Sequence, residues 1–125
     1  MKLIFDTHVL LWWLEDPANV SEAARYAIAD PNNEVYLSAV SVWEVAIKRG
    51  LGKLDAPSDF VEASVECGLL TLPISIQHAL ATEHLPMHHR DPFDRMLVAQ
   101  AIVENATLLT RDTLIPPYGI STIRA

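Results

Sequence analysis

HRDPFDRMLVAQAIVENATLLTRD, residues 89–112, decides how the rest of the chain is read. Asp91 followed by Pro92 marks a helix start, an acid at the N-cap and proline at the first helical position. Asp94 then falls at the third position, where the helix dipole favours a negative charge. The apolar spacing predicts a helix over 92–105, and ATLLT (106–110) is β-rich and bounded by turn residues. Asp112 follows that strand by two positions. A helix that runs straight back into a strand, with an acid at the head of one and just past the end of the other, is the repeating unit of an α/β domain.

The same alternation extends in both directions. LIF (3–5) and VYL (35–37) read as strands, and 69–72 and 120–123 as weaker ones. Helices are predicted over 8–15, 22–30 with Ser21 as cap, 42–49 opened by Ser41 and closed by Gly50, 59–67 from Ser58 to Gly68, and 76–84 from Ser75. Residues 51–57 and 85–92 read as loops. The expectation is one α/β domain over 1–125 with a mostly parallel central sheet flanked by helices.

Bulk composition agrees and excludes several classes. With 125 residues, half of them hydrophobic, the chain can bury one core and is too short for two ordinary domains. No apolar run reaches the roughly 18 residues of a membrane span, and MKLIF leads into Asp6 without a signal-peptide core; a soluble, cytoplasmic protein with no membrane partner is expected. The single cysteine, Cys67, rules out an internal disulfide and a cysteine-based zinc site, and its apolar neighbours predict a buried, inert thiol. The net charge of −7 has the wrong sign for nucleic-acid binding by bulk electrostatics.

In a parallel sheet, ligands collect at the carboxyl ends of the strands. Asp6 ends the first strand and Asp112 follows ATLLT. Helices run antiparallel to the strands they cover, so helix starts share that edge, which brings in Glu44 and Asp94, both expected in first turns. Each acid also has a structural explanation. Ser41-Val-Trp-Glu44 has the form of a capping box, Lys48 pairs with Glu44 at i, i+4, Asp91 and Asp94 suit a helix start, and Asp112 suits a turn. The conjunction of acids at one rim is what points to chemistry. Like charges so close raise one another's pKa, a conflict that a divalent cation removes. Oxygen donors suit Mg²⁺ or Mn²⁺ better than zinc, and such an ion activates water for attack on a phosphodiester and stabilises the departing oxygen.

FDTHVLLWWL from Phe5, SAVSVWEVAIKRGLGKL from Ser38, HRDPFDRMLVAQA from His89 and LLTRD ending at Asp112 resemble the PIN domain, in particular the VapC-type toxins of bacterial toxin–antitoxin pairs. The resemblance covers essentially the whole chain. It implies a Mg²⁺- or Mn²⁺-dependent endoribonuclease with Asp6, Glu44, Asp94 and Asp112 as metal-site and catalytic acids. Asp91 is the alternative to Asp94, which is preferred for its distance to the apolar, alanine-containing stretch that follows. The resemblance also implies an RNA substrate, a VapB-like antitoxin partner and a homodimer. A catalytically inactive PIN-like module that binds RNA or protein is the other reading. A haloacid-dehalogenase-type phosphatase is excluded, because it needs an aspartate where His8 stands.

Thr7, Ser38 and Thr110 flank the acids and are expected to orient them or a water. Lys48, Arg49, Lys53, Arg90, Arg95 and Arg111 lie near the motifs and are expected to meet RNA phosphates, giving local attraction despite the overall charge. His84, His88 and His89 are read as a surface loop, with Pro86 breaking any helix that would align them. Trp12, Trp13 and Trp43 are read as core or subunit-contact residues.

Overall fold

The computed structural model describes residues 1–125. Strand β1 (Lys2–Phe5) leads through α1 (Thr7–Glu15) and α2 (Glu22–Ala29) to β2 (Glu34–Ser38). Helices α3 (Ala39–Gly50) and α4 (Phe60–Glu66) precede β3 (Leu70–Leu72). Then come α5 (Ile76–Ala81), α6 (Pro92–Glu104), β4 (Thr107–Thr110) and β5 (Thr122–Arg124). The five strands form one sheet in the order β3-β2-β1-β4-β5, and every pairing is parallel. The expected fold class is what the structure has, including both weaker strands.

Strand residues alternate between two cores, as a sheet covered on both faces requires. Leu3, Phe5, Leu37 and Leu109 pack with Val9, Leu10 and Phe60 on one face. Ile4 and Leu108 pack with Val40, Leu97, Val98 and Ile115 on the other. Helix α6 is buried over five consecutive residues, Leu97–Ala101. A helix enclosed on so many sides has little amphipathic signature, and apolar length and caps identify it instead. Asp91 caps it through Phe93 N–H (2.8 Å) and Asp94 N–H (3.3 Å). Asn105 ends it in the left-handed region, φ 51°.

Buried polar groups on this helix are tied to its neighbours. Gln100, fully buried, accepts the Ser38 hydroxyl and donates to Pro73 O at 3.3 Å. His78 is buried below it, with Nδ1 accepting the Ser75 N–H (2.9 Å) and Nε2 2.8 Å from Glu104 Oε2. The His78 bond holds the Glu104 carboxyl below its usual range. One chain of hydrogen bonds thus fastens β2, α5 and α6.

Several local expectations change. Helix α3 begins at Ala39 with Ser38 as its cap, whose hydroxyl accepts Val40 N–H at 3.0 Å. The Ser41–Glu44 capping box therefore does not form, and Glu44 sits in the second turn. Ser41 instead accepts the Thr7 hydroxyl inside the core (2.9 Å). Helix α4 starts at Phe60 with Asp59 at its N-cap, one residue past the expected start, and α5 ends at Ala81 in a short 3-10 turn over 82–84. Cys67 is exposed rather than buried, because it ends α4 on the side away from the core. No helix is long and apolar enough to cross a membrane.

Replacing Gln100 by Leu removes the shared partner of Ser38 and Pro73 while conserving volume. Orphaned buried polar groups cost about 1–3 kcal/mol, so urea unfolding of Gln100→Leu will show an unfolding free energy lowered by that amount, read as a lower midpoint at unchanged slope.

Candidate functional site

The carboxyl ends of β1 and β4 lie side by side, with Phe5 in register with Leu109. Asp6 N–H extends the ladder to Leu109 O (2.9 Å). The Asp6 carboxylate, 5 % exposed, caps α1 by accepting His8 N–H (3.2 Å) and accepts the Thr110 hydroxyl (2.8 Å). Thr110 Oγ1 in turn accepts Asp112 N–H at 3.0 Å. Thr110 thus links two acids.

Glu44 reaches the rim from the second turn of α3, since helical side chains lean toward the helix start. It is 3 % exposed. Its Oε2 accepts from Lys48, the expected i, i+4 pair, which raises the lysine's pKa. Its Oε1 is buried and has no hydrogen-bond partner. Asp94 enters from the first turn of α6, half-buried. Burial, then the charges of Asp6 and Asp91, push its carboxyl up to about 7, with His89 opposing and Glu44 adding. Asp6 is raised as well, by burial first, with Thr110 opposing and Glu44 contributing. Asp6, Glu44 and Asp94 therefore feel one another's charge.

Asp112, at the end of β4, is more exposed. Its Oδ1 accepts Leu114 N–H (2.9 Å), and its Oδ2 lies 2.7 Å from His89 Nε2. That same nitrogen is 3.1 Å from Asp94 Oδ2. One ligand atom each from His89, Asp94 and Asp112 falls within 4.8 Å of the others. His89, read as a surface loop residue, is thus at the site. His84 and His88 are exposed, as expected. The one signal for His89 in the sequence is its place two residues before the Asp91-Pro92 helix start, which returns its ring toward the rim.

Asp6, Asp94 and Asp112 line a cleft of ≈ 260 Å³ with His8, Trp12 and Arg111. Asp91 is spent on the α6 cap. Thr7 and Ser38, expected to orient the acids, bond elsewhere, to Ser41 and Gln100; both face the interior. The cations differ in freedom. Arg95 donates to the carbonyls of Thr82, Leu85 and Pro86 and holds the loop before α6. Arg49 bonds Pro57 O and lies over Phe60. Arg111 bonds Asn19 O and Ala125 O and stacks 4.4 Å from the Trp12 ring, leaving its charge at the cleft. Lys53 and Arg90 are exposed. Trp13 packs on Phe5, and Trp43 is 48 % exposed with its ring against Phe93.

The donor set fits a hard divalent cation. Carboxylate oxygens dominate it, one of them is a buried orphan, and two of the acids are held above their usual range by burial and by each other.

A family model described as the PIN domain matches residues 3–116. The ribonuclease VapC16 of Mycobacterium tuberculosis is 38 % identical over 66 residues, which span 50 % of this chain and 45 % of that protein. Among solved structures, DNA-bound VapBC from Salmonella typhimurium has a chain 20 % identical with a TM-score of 0.71, covering 98 % of this chain and 97 % of that one. VapBC2 from Rickettsia felis, bound to a promoter DNA fragment, has one 17 % identical with a TM-score of 0.67, covering 98 % of each. FitAcB from Neisseria gonorrhoeae gives 19 % and 0.63, covering 98 % and 96 %.

The raised Asp94 contributes to the pH dependence of the metal-free protein. Between the unfolded value of 3.8 and the folded value of about 7, the folded state holds more protons than the unfolded state. The contribution of Asp94 to stability is then full below about 4 and is lost as pH rises to about 7. Thermal unfolding in chelator will show Asp94→Asn flattening this fall and melting about 5 °C above the parent at pH 8, the shift of roughly 1 kcal/mol in a domain this size.

Proposed function

This chain belongs to the PIN-domain family, and from that premise we propose that it is a divalent-metal-dependent endoribonuclease, the toxin of a VapBC-like toxin–antitoxin pair. The observation that carries the reading is Glu44 Oε1, buried and without a donor, among carboxylates that raise one another's pKa. Lys48 and the donors on Asp6 offset only part of that charge and none reaches Glu44 Oε1, a deficit that a bound dication would supply. Kinship with a protein named as a ribonuclease supports the activity.

Asp6, Glu44 and Asp94 would hold Mg²⁺ or Mn²⁺, with Asp112 completing the set. Such an ion supplies a polarised water and charge stabilisation for the departing oxygen. The chain's own groups prepare the site. Thr110 and His8 N–H fix the Asp6 carboxylate, Lys48 holds one Glu44 oxygen so that the other turns free, and Asp91 fixes the start of α6 so that Asp94 meets Asp6. Arg111 at the cleft, with Lys53 and Arg90 exposed, supplies the positive charge for phosphates flanking a scissile bond. A single-stranded segment suits the cleft, since its backbone bends to present one phosphate.

A longer groove of ≈ 830 Å³ runs between α1 and residues 54–63 and shares His8 and Trp12 with the cleft. Leu11, Leu14 and Phe60 line it, with Glu15, Asp55 and Asp59 as its charged residues. That combination repels RNA and suits a basic, apolar segment of a VapB-like antitoxin. Along α3 and its C-cap, Trp43, Ile47 and Leu51 are exposed at i, i+4, i+8, a stripe that supports homodimerisation.

Cleavage of single-stranded RNA will require added Mn²⁺ or Mg²⁺ and will stop in chelator. Asp6→Asn and Asp94→Asn will lower the rate by about a hundredfold or more, the usual cost of removing a group that stabilises developing charge. Asp91→Asn, which keeps the cap because asparagine serves there equally well, will retain cleavage. Metal-independent RNA binding without cleavage would instead mark a binding module, and loss of cleavage in Asp91→Asn alone would move the third acid to Asp91.

A further inference from the structure

His89 is tied into the acid cluster through both ring nitrogens and its main chain. Its backbone N–H donates to the Tyr118 hydroxyl (2.8 Å), and Arg95 Nη1 donates to its carbonyl (3.5 Å), which fixes the backbone. Asp91 N–H donates to His89 Nδ1 at 3.1 Å. An amide N–H can only donate, so Nδ1 presents a lone pair and the proton of the neutral ring resides on Nε2. That nitrogen lies 2.7 Å from Asp112 Oδ2 and 3.1 Å from Asp94 Oδ2, between acids delivered by different elements. A bare Nε2 lone pair would face two carboxylate oxygens there; an N–H donates to Asp112 Oδ2 and sets its positive end beside Asp94 Oδ2.

We infer that His89 is a positioning residue of the metal site, and not a ligand in it. Its Nε2–H donates to Asp112 Oδ2 and holds Asp94 Oδ2 beside it at 3.1 Å, keeping the two acids on one point. Leu114 N–H turns the other oxygen of Asp112, and no protein group donates to Asp94 Oδ1, which is left for an ion. Asp91 thereby acts twice: its side chain caps α6, and its main-chain N–H selects the His89 tautomer. Carboxylates oriented by such a donor lose about 10–100-fold in metal affinity when it is removed. The inference rests on the metal-dependent reading above.

The test is Mn²⁺ affinity, counted from the free-ion electron paramagnetic resonance signal in the folded protein, with the ring nitrogens followed by ¹⁵N NMR. His89→Ala will weaken Mn²⁺ binding about tenfold or more. His89→Gln, whose amide N–H reaches the position of Nε2, will bind within about threefold of the parent. In the parent, Nε2 will carry the proton and Nδ1 will not, and added Mg²⁺ will leave that pattern unchanged. Parent-like binding by His89→Ala overturns the inference, as does an Nε2 that loses its proton on Mg²⁺ addition, or His89→Gln binding as weakly as His89→Ala. If His89→Ala fails to fold, His89→Gln and the parent's ring signature still decide. Failure of the parent itself to bind Mn²⁺ would instead sink the metal-dependent reading, a result that these variants cannot mimic.

Discussion

Removing several carboxylates from water side by side opposes folding, and the rest of this structure is organised around tolerating it. Asp6 and Glu44 are almost fully buried, Asp94 is half-buried, and their charges act on one another. Donors offset part of the cost at Asp6, through Thr110 and His8 N–H, and Lys48 does so at one oxygen of Glu44. The other oxygen of Glu44 receives none. Buried polar atoms are almost always paired, so this orphan is the feature of the acid cluster that the proposed metal ion would explain.

Holding the acids at that separation requires a rigid rim. Two central strands end beside each other, and three helix starts converge on the same edge. Helix α6 has the largest share in this. Its first turn carries Asp94, its cap is Asp91, and two turns later Gln100 joins Ser38, Pro73 and His78. The polar network at mid-helix resists sliding of α6 along the sheet, since any shift would break buried hydrogen bonds. Arg95 and Tyr118 then hold the preceding loop, so that His89 returns to the rim.

Charge is distributed unevenly around the rim. Most arginines near the site serve the backbone, donating to carbonyls of loops and of the chain's end. Only Arg111 brings positive charge to the cleft, and only through the edge it shares with Trp12. The neighbouring groove carries acids over an apolar floor. A net charge of −7 is therefore compatible with the proposed RNA-cleaving cleft and the proposed basic partner at once, since the cleft and the acidic groove are lined by largely different residues.

The chain's sequence by itself determined the parallel α/β order, the strand ends, the Asp91-Pro92 start of α6 and the Glu44–Lys48 pair. These depend on neighbours within a few residues, and hydrophobic period, caps and i, i+4 spacing record such contacts directly. It also put Asp6, Glu44, Asp94 and Asp112 at one edge, because strand and helix direction follow from connectivity. Only the tertiary structure decided which serine caps α3, since Ser38 and Ser41 head the same apolar run and Gln100, 62 residues away from Ser38, settles the matter. Only it brought His89 to Asp94 and Asp112, turned Cys67 outward and left one oxygen of Glu44 bare. Those outcomes depend on which distant groups share a small volume, a property of packing that no local pattern encodes.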